Sequence, residues 1–170
     1  MKTSWEPVSR IVLALGVLTA FAFWIHALND NDGFLLLDYI NLPFHEFGHL
    51  FFGFSFETIA VWGGTIMQLL IPLGIFINFF LRKETAGAAF CSFWFGENLL
   101  NIASYIGDAR TMALPLVGGG EHDWNIILMG LDMLKYDTTI AGIVRATGWL
   151  IMLSAVLWFL IMGIKIKEED

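Results

Sequence analysis

Five consecutive residues, His45-Glu46-Phe47-Gly48-His49, have the types and spacing for chemistry. On a helix, two histidines four positions apart project from one face and can grip a divalent metal, typically zinc. The glutamate directly after the first histidine can reach water at such a metal and serve as its general base. Around this stretch the sequence is built for lipid, where ionisable side chains are costly and mark function. The pattern points to a metal centre at membrane depth, with His45 and His49 as ligands and Glu46 as catalytic base. The competing reading has both histidines hydrogen-bonding neighbouring helices while Glu46 pairs with Arg145 or Arg110.

Two histidines do not complete a site, because catalytic zinc commonly takes three protein ligands and keeps a fourth position for water. Asp108, His122, Asp123 and Glu97 could supply the third ligand, with Asp108 and His122 the leading choices. Asp108 ends an apolar run, about two to three helical turns after Asn101 and Asn98; otherwise it is a solvated acid paired with Arg110. His122 and Asp123 lie in the Gly-rich loop Gly118–Trp124, beside a tryptophan suited to anchor at an interface. Asn98, Asn101, Glu97 and Asp123 are read as groups that orient a ligand or hold substrate. Zinc is the expected ion, although imidazole-rich sites also suit other divalent transition metals.

The elements that must position these residues follow from composition. Apolar residues make up 57% of the 170 and charged residues only 15%, with a mean hydropathy of +0.70. Soluble domains carry roughly a quarter charged residues, so the chain reads as one integral membrane domain, 1–170, in contact with a bilayer. The net charge of −7 argues against nucleic acid as a partner. Cys91 is the only cysteine, which excludes an intrachain disulfide; in its apolar run it reads as a packing residue. His26 reads as an interfacial histidine, and Asp38 and Glu57 as acids bounding the motif helix.

Apolar runs predict spans over Val8–Leu28, Thr65–Leu81, Ala86–Ile106 and Ile140–Ile164. The first run is longer than the core of a leader peptide and lacks a small-x-small cleavage site, so it is read as retained. The motif helix is expected to start at Asn41 as cap, with Pro43 in its first turn, and to run to about Phe54 or Phe56. Glu57 and Trp62-Gly63-Gly64 are expected to interrupt the next apolar stretch, and Asn125–Leu134 to form a short interfacial helix. If Phe34–Gly64 dips into the membrane and returns, Lys2, Arg10, Arg82, Lys83, Lys165 and Lys167 share the cytoplasmic side, opposite Arg110, Lys135 and Arg145. A full crossing leaves no charge bias. The expected fold is therefore all-α: a polytopic helical membrane protein with about four transmembrane helices, a broken or re-entrant motif-bearing segment, and both termini cytoplasmic. That topology brings Asp108, the Gly118–Trp124 loop and the motif helix to the same half of the bilayer.

The motif and its setting resemble the site-2 protease family of intramembrane zinc metalloproteases, over roughly Leu42 to Asp108. His45, Glu46 and His49 match the family's first motif. Asn101 followed by Asp108 is loosely similar to its second, and Trp62-Gly63-Gly64 lies where members often carry a glycine-containing stretch. The resemblance implies zinc held by His45, His49 and Asp108, with Glu46 activating water against a carbonyl of a membrane or membrane-near peptide. The family's second motif has proline before the aspartate and glycine after it; here Gly107 precedes and Ala109 follows. The Glu121-His122-Asp123-Trp124 cluster has no counterpart in that pattern. From the residues alone, the rival to a metallohydrolase is a non-catalytic metal-binding or structural accessory subunit of a larger membrane complex. Four protein ligands would close the site and favour that role, whereas an open position would favour catalysis.

Overall fold

Ser9 starts the first helix: its Oγ accepts the Val12 N–H at 3.3 Å, satisfying one of the donors a helix N-terminus leaves unpaired. The computed structural model describes residues 4–30, 33–54, 57–116 and 121–165. Lys2, Lys167, the acidic tail 168–170 and the glycines 118–120 lie outside them. The elements are α1 (Arg10–Asn29), α2 (Asp38–Gly53), α3 (Glu57–Leu81), α4 (Thr85–Gly107), α5 (Asp123–Gly130), a 3₁₀ turn (Leu134–Tyr136) and α6 (Asp137–Lys165). No strand occurs among the described residues.

Three stretches are long and apolar enough to cross a membrane: Arg10–Asn29, Ile59–Leu81 and Leu134–Ile164. They carry large apolar side chains on their outer faces, Leu18 being 63% exposed and Leu150 64%, as lipid contact requires and water penalises. The sequence reading expected four. The missing one is α4, whose 23 residues give roughly 34 Å at 1.5 Å per residue, but whose Glu97, Asn98 and Asn101 reduce its apolarity. α4 is instead the core helix. Thirteen of its residues are buried, among them the fully buried Glu97 and Asn98, and it packs mainly on α6 and α3.

Glycines set the two tightest crossings. A Cβ on Gly63 would lie 2.5 Å from the Gly48 carbonyl oxygen, and one on Gly48 would strike the Gly63 carbonyl. α2 and α3 therefore touch backbone to backbone, as small residues permit in membrane helices. Gly96 and Gly148 do the same for α4 and α6, a Cβ on either meeting the other's carbonyl oxygen at 2.6–2.8 Å.

Several expected boundaries move. α2 starts at Asp38 rather than Asn41. Asp38 bounds the helix as its first residue but is 1% exposed rather than solvated; its Oδ2 accepts the Leu35 N–H at 2.6 Å. Asn41 lies inside the helix, where its Nδ2 donates to Asp38 Oδ1 and Glu97 Oε2 at 3.0 and 2.9 Å. Its Oδ1 accepts from Trp94 Nε1 at 2.6 Å. Burial inside α2 and α4 gave these polar groups one another as partners, which outweighed the capping preference of asparagine. α3 runs unbroken through Trp62-Gly63-Gly64, because the two glycines there face packed neighbours. The interfacial helix is α5, which ends at Gly130, four residues short of the expected Leu134.

The N-terminal segment is fastened to the α3–α4 turn. Glu6 N–H donates to the Lys83 carbonyl at 2.9 Å and Thr85 Oγ1 donates to the Glu6 carbonyl at 2.6 Å. Trp5 packs on Phe80 and Trp158 with ring centroids 5.1 and 4.9 Å apart. At the opposite end, Ile102, Ile106, Trp124, Ile127, Leu128 and Ala141 form a core that seats α5 against α4 and α6.

Candidate metal centre

His45 and His49 rise from one face of α2, and α5 delivers Asp123 to them. The three ligand atoms form a near-equilateral triangle. His45 Nε2 lies 3.1 Å from Asp123 Oδ2, His49 Nε2 lies 3.1 Å from the same oxygen, and the two Nε2 atoms are 3.1 Å apart. Among the described residues, these are the side chains grouped closely enough to hold a metal ion.

The neighbours fix the tautomers. His45 Nδ1 faces Gln68 Oε1 at 3.2 Å and His49 Nδ1 faces the Ala60 carbonyl oxygen at 2.8 Å. Carbonyl oxygens only accept, so each Nδ1 carries its ring's proton, and in the neutral rings both Nε2 atoms point bare lone pairs at the carboxylate. Gln68 is itself oriented, because its Nε2 donates to Asn101 Oδ1 at 2.9 Å. Three lone-pair donors this close repel one another unless a metal ion lies between them or a proton on one Nε2 is shared with the carboxylate. The 3.1 Å spacings are short enough that His45, His49 and Asp123 would together hold one ion at the roughly 2.0–2.1 Å typical of zinc bonds to nitrogen and oxygen.

Gly64 makes the room. A Cβ there would lie 2.6 Å from both Nε2 atoms, so any side chain at this position of α3 would intrude on the ligands. Asp123 is positioned from its backbone: it begins α5 directly after His122, and its N–H donates to Tyr105 Oη at 3.1 Å. The triangle borders a cavity of about 1070 Å³ that Glu46 also lines, with apolar walls that include Leu42, Val61, Leu114 and Ile126.

The other residues singled out from the sequence have different places. Asp108 and His122 stand apart from the triangle and face each other, His122 Nε2 lying 3.4 Å from Asp108 Oδ2. His122 Nδ1 accepts the Asn125 N–H at 3.2 Å, so His122 serves as the cap of α5. The Asp108 carboxylate takes the hydroxyl of Thr111 and the N–H groups of Ala113 and Leu114, the latter two at 2.9 Å. It thereby holds a turn that passes through Met112 at φ 48°, a left-handed conformation rare for a side chain of that size. Burial pushes its pKa up, but these hydrogen bonds outweigh that and hold it below the ordinary carboxylate value.

Asn101 lines the cavity and orients Gln68. Asn98 is fully buried, donating to the Trp94 and Asn41 oxygens, and Glu97 is bonded to Asn41 in the core. Arg110 pairs with Asp137 at 2.7 Å and Arg145 reaches Ser104 at 3.3 Å; these contacts replace the expected pairings with Glu46 or Asp108. His26 is exposed, with its ring on Phe23. Gln68 and Tyr105 escaped the sequence reading, and Gly64 was singled out only as part of a glycine stretch. Gln68 had a signal, as the only amide in the run Thr65–Ile77; Tyr105 had none outside the three-dimensional contact.

No family model, curated protein or solved structure matches this chain, so the meaning of the site rests on its geometry.

Proposed function

We propose that the chain is a membrane-embedded zinc metallohydrolase, a peptidase of the site-2 protease kind acting on membrane or membrane-near peptides. The observation that carries this reading is the triangle of His45 Nε2, His49 Nε2 and Asp123 Oδ2, with 3.1 Å edges, beside a cavity lined by Glu46. Two neutral imidazoles and one carboxylate make the donor set of catalytic zinc sites, with one position left for water. Zinc bound there would acidify that water and polarise a carbonyl. Glu46 would take the proton and return it to the leaving amine. Asn101 and Gln68 would keep His45 in register, and the apolar cavity wall would hold the substrate strand.

Four protein ligands would have favoured the accessory-subunit reading. Asp108 is occupied by the turn after α4 and His122 caps α5 outside the triangle, which favours the open, catalytic arrangement. For topology, we take α4 as a fourth span shielded from lipid by its neighbours. The segment before α1 is fastened to the Arg82–Lys83 turn, which supports a shared cytoplasmic side for Arg10, Arg82 and Lys83 and for both termini.

The test is metal content and peptide cleavage by purified protein in detergent or nanodiscs. Wild type is expected to hold one zinc per chain and to cut an apolar peptide. Glu46→Gln should keep the zinc and lose cleavage. Wild type that binds no transition metal under zinc-replete conditions would refute the reading.

A further inference from the structure

The charge of the cavity restricts what can occupy it. Four carboxylate side chains line it, Asp38, Glu46, Glu121 and Asp123, and no lysine or arginine does among the described residues. Arg110 pairs with Asp137 and Lys135 lies over the ring of Tyr136, while Arg145 reaches the cavity wall from behind, donating to Ser104 Oγ at 3.3 Å. A divalent ion at the triangle offsets two of the four negative charges, and Asp38 is largely screened by its bonds to Leu35 and Asn41. Glu46 and Glu121 then remain on the cavity wall, neither of them in an ion pair among the described residues. Clefts lined by one sign of charge with apolar walls focus the potential on whatever enters them.

Glu121 differs from the other three. It is exposed, precedes the α5 cap His122, lies outside the metal-binding triangle and lines the cavity. The apolar part of the wall, including Leu114 and Ile126, suits an apolar chain. We infer that the cavity selects an apolar peptide segment carrying a lysine or arginine, that Glu121 reads that cation at the cavity rim, and that segments with an acidic residue at the same place are rejected. The inference deepens the peptidase reading and rests on it for the claim that the bound segment is a substrate; the binding preference itself does not need catalysis.

The experiment uses zinc-loaded full-length protein in nanodiscs of zwitterionic lipid. Three fluorescent apolar peptides are compared, identical except for Lys, Gln or Glu at one central position. The Lys peptide is expected to bind up to about fivefold more tightly than the Gln peptide, the upper yield of one exposed charge pair, with the Glu peptide weakest. The preference should shrink as salt is raised. Glu121→Gln should bring the Lys peptide to within about twofold of the Gln peptide, leaving the Gln peptide's affinity and the zinc content unchanged. Glu121→Lys should invert the order. Equal binding of all three peptides by wild type, or an order that survives both substitutions, overturns the inference. Cleavage is scored separately on the same samples. The expected binding order without cleavage supports the inference and counts against the peptidase reading, whereas cleavage without charge order does the reverse.

Discussion

Replacing Asp123 and Asp108 in turn separates two arrangements of ligands around His45 and His49. In the structure Asp123 Oδ2 lies 3.1 Å from both Nε2 atoms, while the Asp108 oxygens are taken by Thr111, Ala113 and Leu114. Structural zinc sites with four ligands bind with about 10–16 kcal/mol, or roughly 2.5–4 kcal/mol per ligand. At about 1.4 kcal/mol per decade, removing one ligand should weaken zinc roughly a hundred- to a thousandfold. Asp123→Asn preserves shape while removing the anionic donor, so a loss of that size is expected. Asp108→Asn leaves the triangle intact and disturbs only the turn and the His122 cap, so it should weaken zinc by no more than the tenfold or so typical of milder outer-shell losses. The assay is competition for zinc against a chromophoric chelator in detergent, with circular dichroism to verify helix content. The reverse ranking, with Asp108→Asn costing orders of magnitude and Asp123→Asn little, would refute the assignment and restore the ligand set implied by the family resemblance.

Four further outcomes are expected. Gly64→Ala puts a methyl 2.6 Å from both Nε2 atoms, so zinc should be lost while helicity is kept, alanine favouring a helix by about 1 kcal/mol over glycine; zinc retained at full occupancy would contradict the geometry. Gln68→Leu removes the acceptor that holds the proton on His45 Nδ1 and should weaken zinc about 10- to 100-fold, read by the same competition assay. Gly63→Ala overpacks the α2–α3 crossing, where its Cβ would lie 2.5 Å from the Gly48 carbonyl oxygen; a loss of about 1–3 kcal/mol or more should appear as a lowered melting temperature. Because the folded Asp108 pKa lies below its ordinary value, its stabilisation is present above about pH 3.9 and lost as pH falls through the folded value. Acid melting curves of metal-free protein should therefore be steeper for wild type than for Asp108→Asn, and superimposable curves would remove the role assigned to that turn.

The sequence by itself determined the material of this protein and half of its site. Apolar runs of span length predict helices able to cross a membrane, because only a helix satisfies its own backbone there; three of the four expected runs have that character, while the fourth, α4, is the core. The four-residue spacing dictates that His45 and His49 share a face, because one helical turn takes 3.6 residues. Both are local properties and both were legible. The donor that completes the triangle was not, since Asp108, His122, Asp123 and Glu97 were chemically admissible and lay in loops or helices of unknown placement. Tertiary packing chose Asp123: the core around Trp124, Ile127 and Leu128 seats α5 so that its first residue meets α2. The same packing turned Asp108 to the backbone of its own turn and buried Asp38 against Asn41. It also left Gly64 bare beneath the two imidazoles. Contacts between residues distant in the chain depend on how helix surfaces fit together, and a pattern read along one strand of sequence carries no term for that fit.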